Sequence, residues 1–308
     1  MIYSSITEKA KAWKISEQMV RRYCRDGRIP DCIYEEGIWY IPEDSKKPGR
    51  KTVVPEEQPV LDLALTLQKQ KKKKSFHGLY DYTLVNFTYS SSRLASNRLT
   101  KEQVESLFST GKISVGFEPL KVSDCIEAIN HMLCIDYIID QAAEPLTQKF
   151  IKKLHSILMT GTVDANMQHI VPGEYRPQSF TIEGRYLPPA ISISPKLNVL
   201  IKKYEDHIKI SLSNILSFHV DFENLSPFQD GNGRVGRLIM FKECLRHNIV
   251  PFIIDDKSRH SYLNGICKWK SYKKAFTNMI TKCQARFAKE IEHQNRLKYL
   301  DPPVSSHH

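Results

Sequence analysis

Apolar residues recur at steps of three and four in several stretches of the chain, which predicts helices there. The clearest helical stretches are residues 124–139, 146–161 and 212–225. Two segments depart from this period, because residues 32–41 and 180–191 alternate over short runs and contain glycine or proline. Each of these two segments therefore predicts a β-hairpin.

Residues 1–48 predict a small winged helix-turn-helix module. Ser5 and Glu8 form a capping box at the start of a first helix, and Ser16 can cap a second helix that ends at Gly27. A hairpin with a glycine in its turn follows. This order of elements resembles that of excisionase-like and MerR-like DNA-binding modules.

The second helix of this module carries its candidate DNA-binding side chains. Met19, Val20 and Tyr23 are expected to face the core of the module. The resemblance implies that the outward arginines bind phosphates or base edges of DNA, whereas the alternative is a module that binds protein or dimerises. These arginines are Arg21, Arg22 and Arg25.

Residues 49–78 predict a linker and a connecting helix, and residues 79–308 predict the main domain. Prolines and the absence of apolar periodicity indicate the linker. The leucines between 61 and 67 alternate, so this part fits a strand as well as a helix. The lysine run 71–74 is typical of a solvated helix end, with nucleic-acid contact as the alternative.

Residues 226–237 combine candidate metal-binding and anion-binding residues, in the order Ser-Pro-Phe-Gln-Asp-Gly-Asn-Gly-Arg-Val-Gly-Arg. Asp230 can offer oxygen ligands to Mg²⁺. The glycine-rich turn lets backbone N–H groups approach an anion at the start of a helix. Arg234 and Arg237 lie three residues apart and can bind further phosphate oxygens. The turn consists of Gly231, Asn232 and Gly233.

The same turn also spells the dinucleotide fingerprint Gly-x-Gly-x-x-Gly, from Gly231 to Gly236. That fingerprint requires a strand directly before its first glycine. Residues 212–225 have the helical period instead, so the segment predicts helix, turn and helix. We therefore do not expect a dinucleotide-binding fold.

Residues 219–237 resemble the signature of Fic domain proteins, His-Pro-Phe-x-Asp-Gly-Asn-Gly-Arg-x-x-Arg. The resemblance implies an all-helical Fic fold with a small β-hairpin flap. The family transfers AMP from ATP, with Mg²⁺, onto a hydroxyl group of a target protein. One position differs, because Ser226 stands where the family has its catalytic histidine.

The resemblance implies roles for individual residues. Asp230 would hold Mg²⁺. The implied catalytic set is Ser226, Asp230, Asn232, Arg234 and Arg237. The implied ATP-binding set is Gly231, Asn232, Gly233, Arg234 and Arg237, with Tyr262 and Asn264 at the adenine end.

Residues 89–100 resemble the inhibitory segment that precedes the core in one class of Fic proteins, Ser-x-x-x-Glu-Gly/Asn. Aligning Ser91 with the family serine puts Ala95 at the glutamate position, and the residues implied for the inhibitory segment are Ser91, Ala95 and Asn97. In that class the glutamate pairs with the second arginine of the signature, here Arg237. Ala95 has no carboxylate, so either the protein naturally lacks this clamp or a substitution has released it. The terminal pair His307-His308 resembles the remnant of an expression tag.

Residues 179–191, from Ser179 to Ile191, resemble the Fic flap, which aligns an extended segment of the target by main-chain hydrogen bonds. The function implied for the chain is protein adenylyltransferase, slow without its histidine and acting on another protein or on itself. The alternative is a DNA-binding transcriptional regulator, or an assembly module, whose nucleotide-binding Fic domain is catalytically silent.

The composition is ordinary for a globular protein, with 308 residues and a net charge of +11. Seven scattered cysteines without a close Cys-x-x-Cys pair do not indicate a disulfide framework or a zinc site. No apolar run has the length of a membrane span or of a signal peptide. We expect a cytoplasmic protein without membrane contact that forms a homo-oligomer, in the simplest case a dimer.

Overall fold

The contacts between residues divide the chain into two compact units, Met1–Val60 and Leu61–His308. The predicted linker over residues 49–78 spans this division, and most of it lies outside the described residues, as do Gly27 and His307-His308. The structure is a computed structural model that describes residues 3–25, 29–30, 32–35, 37–48, 63–73, 78–113, 120–162, 170–178, 181–182 and 185–300.

The first unit contains two helices and a three-stranded antiparallel sheet with β3 in the centre. The Ser5 side chain accepts a hydrogen bond from the backbone of Glu8, so the predicted capping box is present. The short strand β1 has no alternating pattern of its own, which is why the sequence does not predict it. The elements are β1 Tyr3–Ser4, α1 Ile6–Trp13, α2 Glu17–Arg25, β2 Ile33–Glu35 and β3 Ile38–Pro42.

One residue of α2 faces the other way from our expectation. Val20 is fully buried and Tyr23 packs against the core, but Met19 is 41% exposed. The buried face of α2 is centred on Val20 and Cys24, which lie one turn apart. Met19 is rotated by about 100° from Val20 and therefore points towards solvent.

The second unit is almost entirely helical, which confirms the predicted fold class. Of the alternating leucines, Leu63, Leu65 and Leu67 lie in a helix and not in a strand. Residues 181–186 hold two short antiparallel strands, as expected for the flap hairpin. The elements are α3 Leu63–Lys73, α4 Leu79–Leu94, α5 Lys101–Thr110, α6 Val122–Asp140, α7 Gln148–Met159, β4 Thr181–Ile182, β5 Arg185–Tyr186, α8 Ile193–Glu205, α9 Leu212–Leu225, α10 Asn232–Arg246, α11 Arg259–Cys267 and α12 Trp269–Leu300.

Helix α10 runs through the centre of this unit. Every residue from 234 to 245 is buried, and the helix contacts α3, α4, α6, α7 and α9. A helix enclosed on all sides is usually apolar all round. This one carries charged side chains at four of those positions, so its neighbours have to supply polar partners.

A buried charge cluster holds the C-terminal half of α10. The Lys242 ammonium group donates to Glu243 Oε1 at 2.7 Å and to the carbonyl oxygen of Glu144. Glu243 also accepts from the Tyr204 hydroxyl at 3.0 Å and lies 3.2 Å from His247 Nε2. Burial alone would raise the pKa of Glu243, but the contacts with His247, Lys242 and Arg246 outweigh it and hold that pKa below its usual value.

None of the helices in the described ranges offers an apolar segment long enough to cross a bilayer.

Glu243→Ala is expected to lower the free energy of unfolding by about 3–5 kcal/mol, because it leaves the buried Lys242 without its ionic partner. Urea unfolding at neutral pH measures this loss. Since the pKa of Glu243 is lowered in the folded state, its contribution is present above the ordinary glutamate pKa and disappears on acidification. The difference between the two proteins should therefore shrink at low pH. The exposed Glu105→Ala is the control, and an equal loss in both variants would contradict the prediction.

Candidate active site

The site begins where α9 ends. Ser226 adopts the left-handed conformation, with φ 42° and ψ 67°, and its backbone N–H donates to the carbonyl of Phe222. Left-handed backbone is unfavourable for a residue other than glycine, and such strain is concentrated at functional positions. The Ser226 hydroxyl donates to the carbonyl oxygen of Glu223 at 2.6 Å. This side chain therefore caps the helix and keeps only its lone pairs available for another group.

The following loop is anchored in the core through Phe228. Its ring is fully buried and stacks on the ring of His155, with centroids 3.8 Å apart. Asn232 accepts from the Phe228 backbone N–H at 2.9 Å and donates to the Phe228 carbonyl at 2.8 Å. The structure thus gives the Asn232 side chain a role in shaping the loop, where the sequence led us to expect a donor to phosphate.

Glycine is required at Gly231 and at Gly236 for different structural reasons. Gly231 has φ 76° and is the N-cap residue of α10, a conformation that favours glycine. A Cβ atom at Gly236 would lie 2.8 Å from the Glu223 carboxylate and 2.8 Å from the His219 ring, both on α9. The third glycine of the apparent dinucleotide fingerprint therefore permits close packing of α10 on α9.

Arg234 is buried and paired on both sides of its guanidinium group. Its Nη1 donates to Glu127 Oε2 at 2.8 Å, and its Nη2 donates to Asp230 Oδ2 at 3.1 Å. Burial raises the pKa of Glu127, while Arg234 and a hydrogen bond from Asn97 act in the opposite direction. Glu127 thus binds one terminal nitrogen of the Arg234 guanidinium group, and the partly exposed Asp230 binds the other.

Arg237 is also buried and is held by α4 and α11. Its Nε donates to the Ser91 hydroxyl at 3.0 Å, and its Nη2 donates to the Ser91 carbonyl at 2.9 Å. Its Nη1 donates to the Tyr262 hydroxyl at 3.3 Å. The segment that resembles the inhibitory helix therefore holds Arg237 through Ser91, although Ala95 contributes no carboxylate.

Tyr262 and His219 form a layer behind Arg237. The Tyr262 hydroxyl lies 2.8 Å from His219 Nε2, and Tyr262 is only 2% exposed. Its hydroxyl group supports Arg237, and the role implied for Tyr262 at the adenine end of ATP stays a prediction. Burial, together with the charge of Arg237, lowers the pKa of His219 to about 3, so the ring is neutral at pH 7. The Asn264 amide lies 2.8 Å from His260 on the partly exposed side of α11.

The end of the inhibitory-type segment is anchored through Asn97. Its amide nitrogen donates to the Asp124 carbonyl at 2.9 Å, and its oxygen accepts from the backbone N–H of Leu99. Ala95 directly follows α4 and is exposed. Of the three positions, Ser91 therefore binds Arg237, Ala95 is exposed and Asn97 anchors the segment to α6.

The apolar residues that recur at helical spacing in α6 do not all face the core. Ile129 and Leu133 are 42% and 50% exposed, although their spacing indicated a core face. The buried face of the first half of α6 is largely polar, because it supplies Glu127 to Arg234. Polar residues at helical spacing were the available signal: Ser123, Asp124, Glu127, Asn130 and His131.

Asp230 meets the simplest requirement for a metal ligand, since its carboxylate side chain is 46% exposed. No group of three or more His, Cys, Asp and Glu side chains is arranged to hold a metal within the described part of the chain. A single carboxylate suits Mg²⁺ when phosphate oxygens and water complete its coordination. The residues present therefore fit a Mg²⁺ ion that arrives with a polyphosphate.

Comparison with known proteins identifies this arrangement. The sequence model described as "Fic/DOC family" matches residues 145–244, which include α7, the flap, α8, α9 and most of α10. The chain contains a Fic domain. The match covers the loop from Ser226 and both arginines, and it ends before α11.

Among proteins with sequence similarity to the chain is Protein adenylyltransferase Fic of Drosophila willistoni, which is 27% identical over 205 residues. That alignment covers 64% of this chain and 37% of the relative. The protein of the same name from Culex quinquefasciatus is 24% identical over 187 residues, covering 58% of this chain and 35% of the relative. The chain thus spans little more than a third of the length of these relatives.

Solved Fic structures share the fold of the helical unit. A Fic domain containing signaling protein from Bacteroides thetaiotaomicron superposes with a TM-score of 0.60 at 19% identity, covering 76% of this chain and 93% of that one. Fic-1 (aa134 - 508) from C. elegans also gives 0.60, at 16% identity, with coverage of 77% and 71%. At these identities the likeness is one of fold.

Gly236→Ala is expected to destabilise the Fic domain by about 1–3 kcal/mol, because the added methyl group meets the His219 ring. Urea unfolding of Gly236→Ala, His219→Ala and the double variant measures the interaction. The double variant should lose less free energy than the sum of the single variants, since removing the ring makes room for the methyl group. Strict additivity would show that the ring does not create the constraint.

Proposed function

We propose that the Fic domain transfers AMP from ATP to a Ser, Thr or Tyr hydroxyl group of a protein, either another protein or the chain itself. One observation carries this proposal: Arg234, Arg237 and Asp230 converge with the Gly231 turn at the N-terminal end of α10. Such a helix end favours bound anions. The relatives named protein adenylyltransferase support this choice among polyphosphate reactions.

Both arginines are positioned before any nucleotide binds. Arg234 keeps its Nη1 on the buried Glu127, so Nη2 is the donor that can turn from Asp230 to a phosphate oxygen. Asp230 is then free to hold Mg²⁺, which would supply positive charge beside the phosphates. Arg237 can exchange the Ser91 hydroxyl for an anionic oxygen, which is a stronger acceptor.

In the proposed reaction the target hydroxyl oxygen forms a bond to the α-phosphorus, and the bond between that phosphorus and the bridging oxygen breaks. Pyrophosphate leaves, and Arg234 and Arg237 stabilise its charge. Ser226 can orient the target by accepting its hydrogen bond, but a neutral hydroxyl is a poor base at pH 7. The released proton therefore goes to a water molecule, and we expect slow transfer.

The test of this function is incubation of the chain with Mg²⁺ and ATP labelled at the α-phosphate. Label that stays on the protein after denaturation supports AMP transfer. Equal labelling from γ-labelled ATP would indicate phosphorylation and contradict the proposal. The Arg237→Ala variant is the control for labelling that does not depend on the site.

Ser226→His should raise the rate of label incorporation by about 10²–10⁴-fold, because it supplies a general base at the end of α9. Single-turnover kinetics with α-labelled ATP measure the change. Ser226→Asn is the control, since it replaces the hydroxyl group without providing a base at pH 7. An unchanged rate in Ser226→His would remove the role assigned to this position.

Ala95→Glu should slow AMP transfer by about tenfold or more, because a carboxylate near the end of α4 would compete with phosphate for Arg237. Ala95→Gln is the matched control, with nearly the same shape and no charge. The two variants are compared by label incorporation at saturating ATP. Equal rates would show that charge at this position does not act on the site.

A second candidate function is DNA binding by the first unit, with the Fic domain as a silent nucleotide sensor or assembly module. It is favoured by the exposed arginines of α2, of which Arg21 lies 3.7 Å from Glu17. The hairpin points to a protein partner instead, because Ile33, Ile38 and Tyr40 expose apolar surface there. Sequence-specific DNA binding that is lost in the variant Arg21→Ala/Arg22→Ala would support this candidate. A dimer and a cytoplasmic location stay predictions.

A further inference from the structure

Arg176 connects the loop of the candidate active site to Gln178, directly before the flap, and to Pro188 within the flap. This side chain is only 2% exposed. Its Nε donates to the Ser226 carbonyl at 2.9 Å, its Nη1 to the Gln178 carbonyl at 2.7 Å and its Nη2 to the Pro188 carbonyl at 2.6 Å. We propose that Arg176 is a positioning residue that sets the flap relative to Ser226.

The chemistry of the guanidinium group suits this task. It is planar and always charged, and its donors lie in a fixed fork. The three carbonyl groups it binds come from residues 2, 12 and 50 positions away along the chain. A lysine ammonium group is a single point of charge and cannot reproduce this arrangement.

The Arg176 backbone reinforces the contact with the loop. Its N–H donates to the Pro227 carbonyl at 3.0 Å. Ser226 and Pro227 are thus bound by the side chain and the main chain of the same residue. A displacement of the flap would therefore break a hydrogen bond to the Arg176 guanidinium group or between Arg176 and the loop.

A second anchor lies just before Arg176 and is independent of it. The Gly173 N–H donates to His155 Nδ1 at 2.9 Å, and the His155 ring stacks on Phe228. Burial lowers the pKa of His155 to about 4, so the ring is neutral and can accept this bond at pH 7. Loss of the Arg176 side chain should therefore loosen the flap while this anchor remains.

The consequence for function rests on the proposed AMP transfer. A target segment paired with the flap has its hydroxyl group placed by the flap, whereas the phosphates are placed by the loop and α10. Arg176 is the side chain that connects the flap to the loop and therefore sets the hydroxyl group relative to the phosphates. A misplacement of about 1 Å between reacting atoms can reduce a rate by about 10²-fold.

The experiment compares Arg176→Ala and Arg176→Lys with the wild-type chain. Arg246→Ala is the matched control, because it also removes a largely buried arginine that joins two segments, here through Glu205 on α8. Three quantities are measured: amide hydrogen exchange over residues 178–190, the Kd for Mg-ATP, and label incorporation into the chain from α-labelled ATP.

In Arg176→Ala we expect exchange over the flap to rise by about tenfold or more while the rest of the Fic domain is unchanged. Transfer should fall by about 10²-fold, with the Kd for Mg-ATP within about threefold of the wild-type value. For Arg176→Lys, flap exchange and transfer should lie between the values of Arg176→Ala and those of the wild-type chain. Added guanidinium ion should restore part of the activity of Arg176→Ala, and Arg246→Ala should show none of the flap effects.

Unchanged exchange over the flap would overturn the proposal, as would a loss of transfer that matches the loss of ATP binding. Exchange that rises throughout the domain in Arg176→Ala, and not specifically over the flap, would also overturn it by showing a general structural role. If the wild-type chain transfers no label, the proposed function fails, and the exchange data still decide whether Arg176 anchors the flap to the loop.

Discussion

The burial of α10 from residue 234 to residue 245 is the constraint on which the rest of the helical unit depends. A central helix that carries two arginines, a lysine and a glutamate can be enclosed only if each charge finds a partner, because an unpaired buried charge costs several kcal/mol. The surrounding helices meet this demand from all sides. Glu127 comes from α6, Ser91 from α4, Tyr262 from α11 and Tyr204 from α8.

This arrangement divides α10 into two ends with different purposes. At the C-terminal end Lys242 and Glu243 are paired with each other within the core, where they fix the packing of α8 and α10. At the N-terminal end Arg234 and Arg237 are held by groups that an anion can partly replace. Groups of the protein itself thus hold these cationic donors in place, which would lower the reorganisation needed when phosphates bind.

In the proposed AMP transfer, Ser226 and Ala95 would have opposite effects. Ser226 would supply no general base, although its left-handed backbone ends α9 where the loop begins. Ala95 would supply no carboxylate to compete for Arg237, which Ser91 binds. Under this proposal both the proton transfer and the restraint on the site would be weak.

Local features of the sequence were sufficient to predict several helices, among them α6, α7 and α9, the flap hairpin and the glycine turn, because periodicity, capping and backbone freedom act over a few residues. Tertiary structure alone decided which face of α6 is buried and what Tyr262, Glu127 and Arg176 contact. Arg234 meets Glu127 across 107 residues, Arg237 meets Ser91 across 146, and Arg176 meets Ser226 across 50. Pairings over such separations leave no periodic trace, since the partner is chosen by the packing of α10 and not by neighbours in the chain.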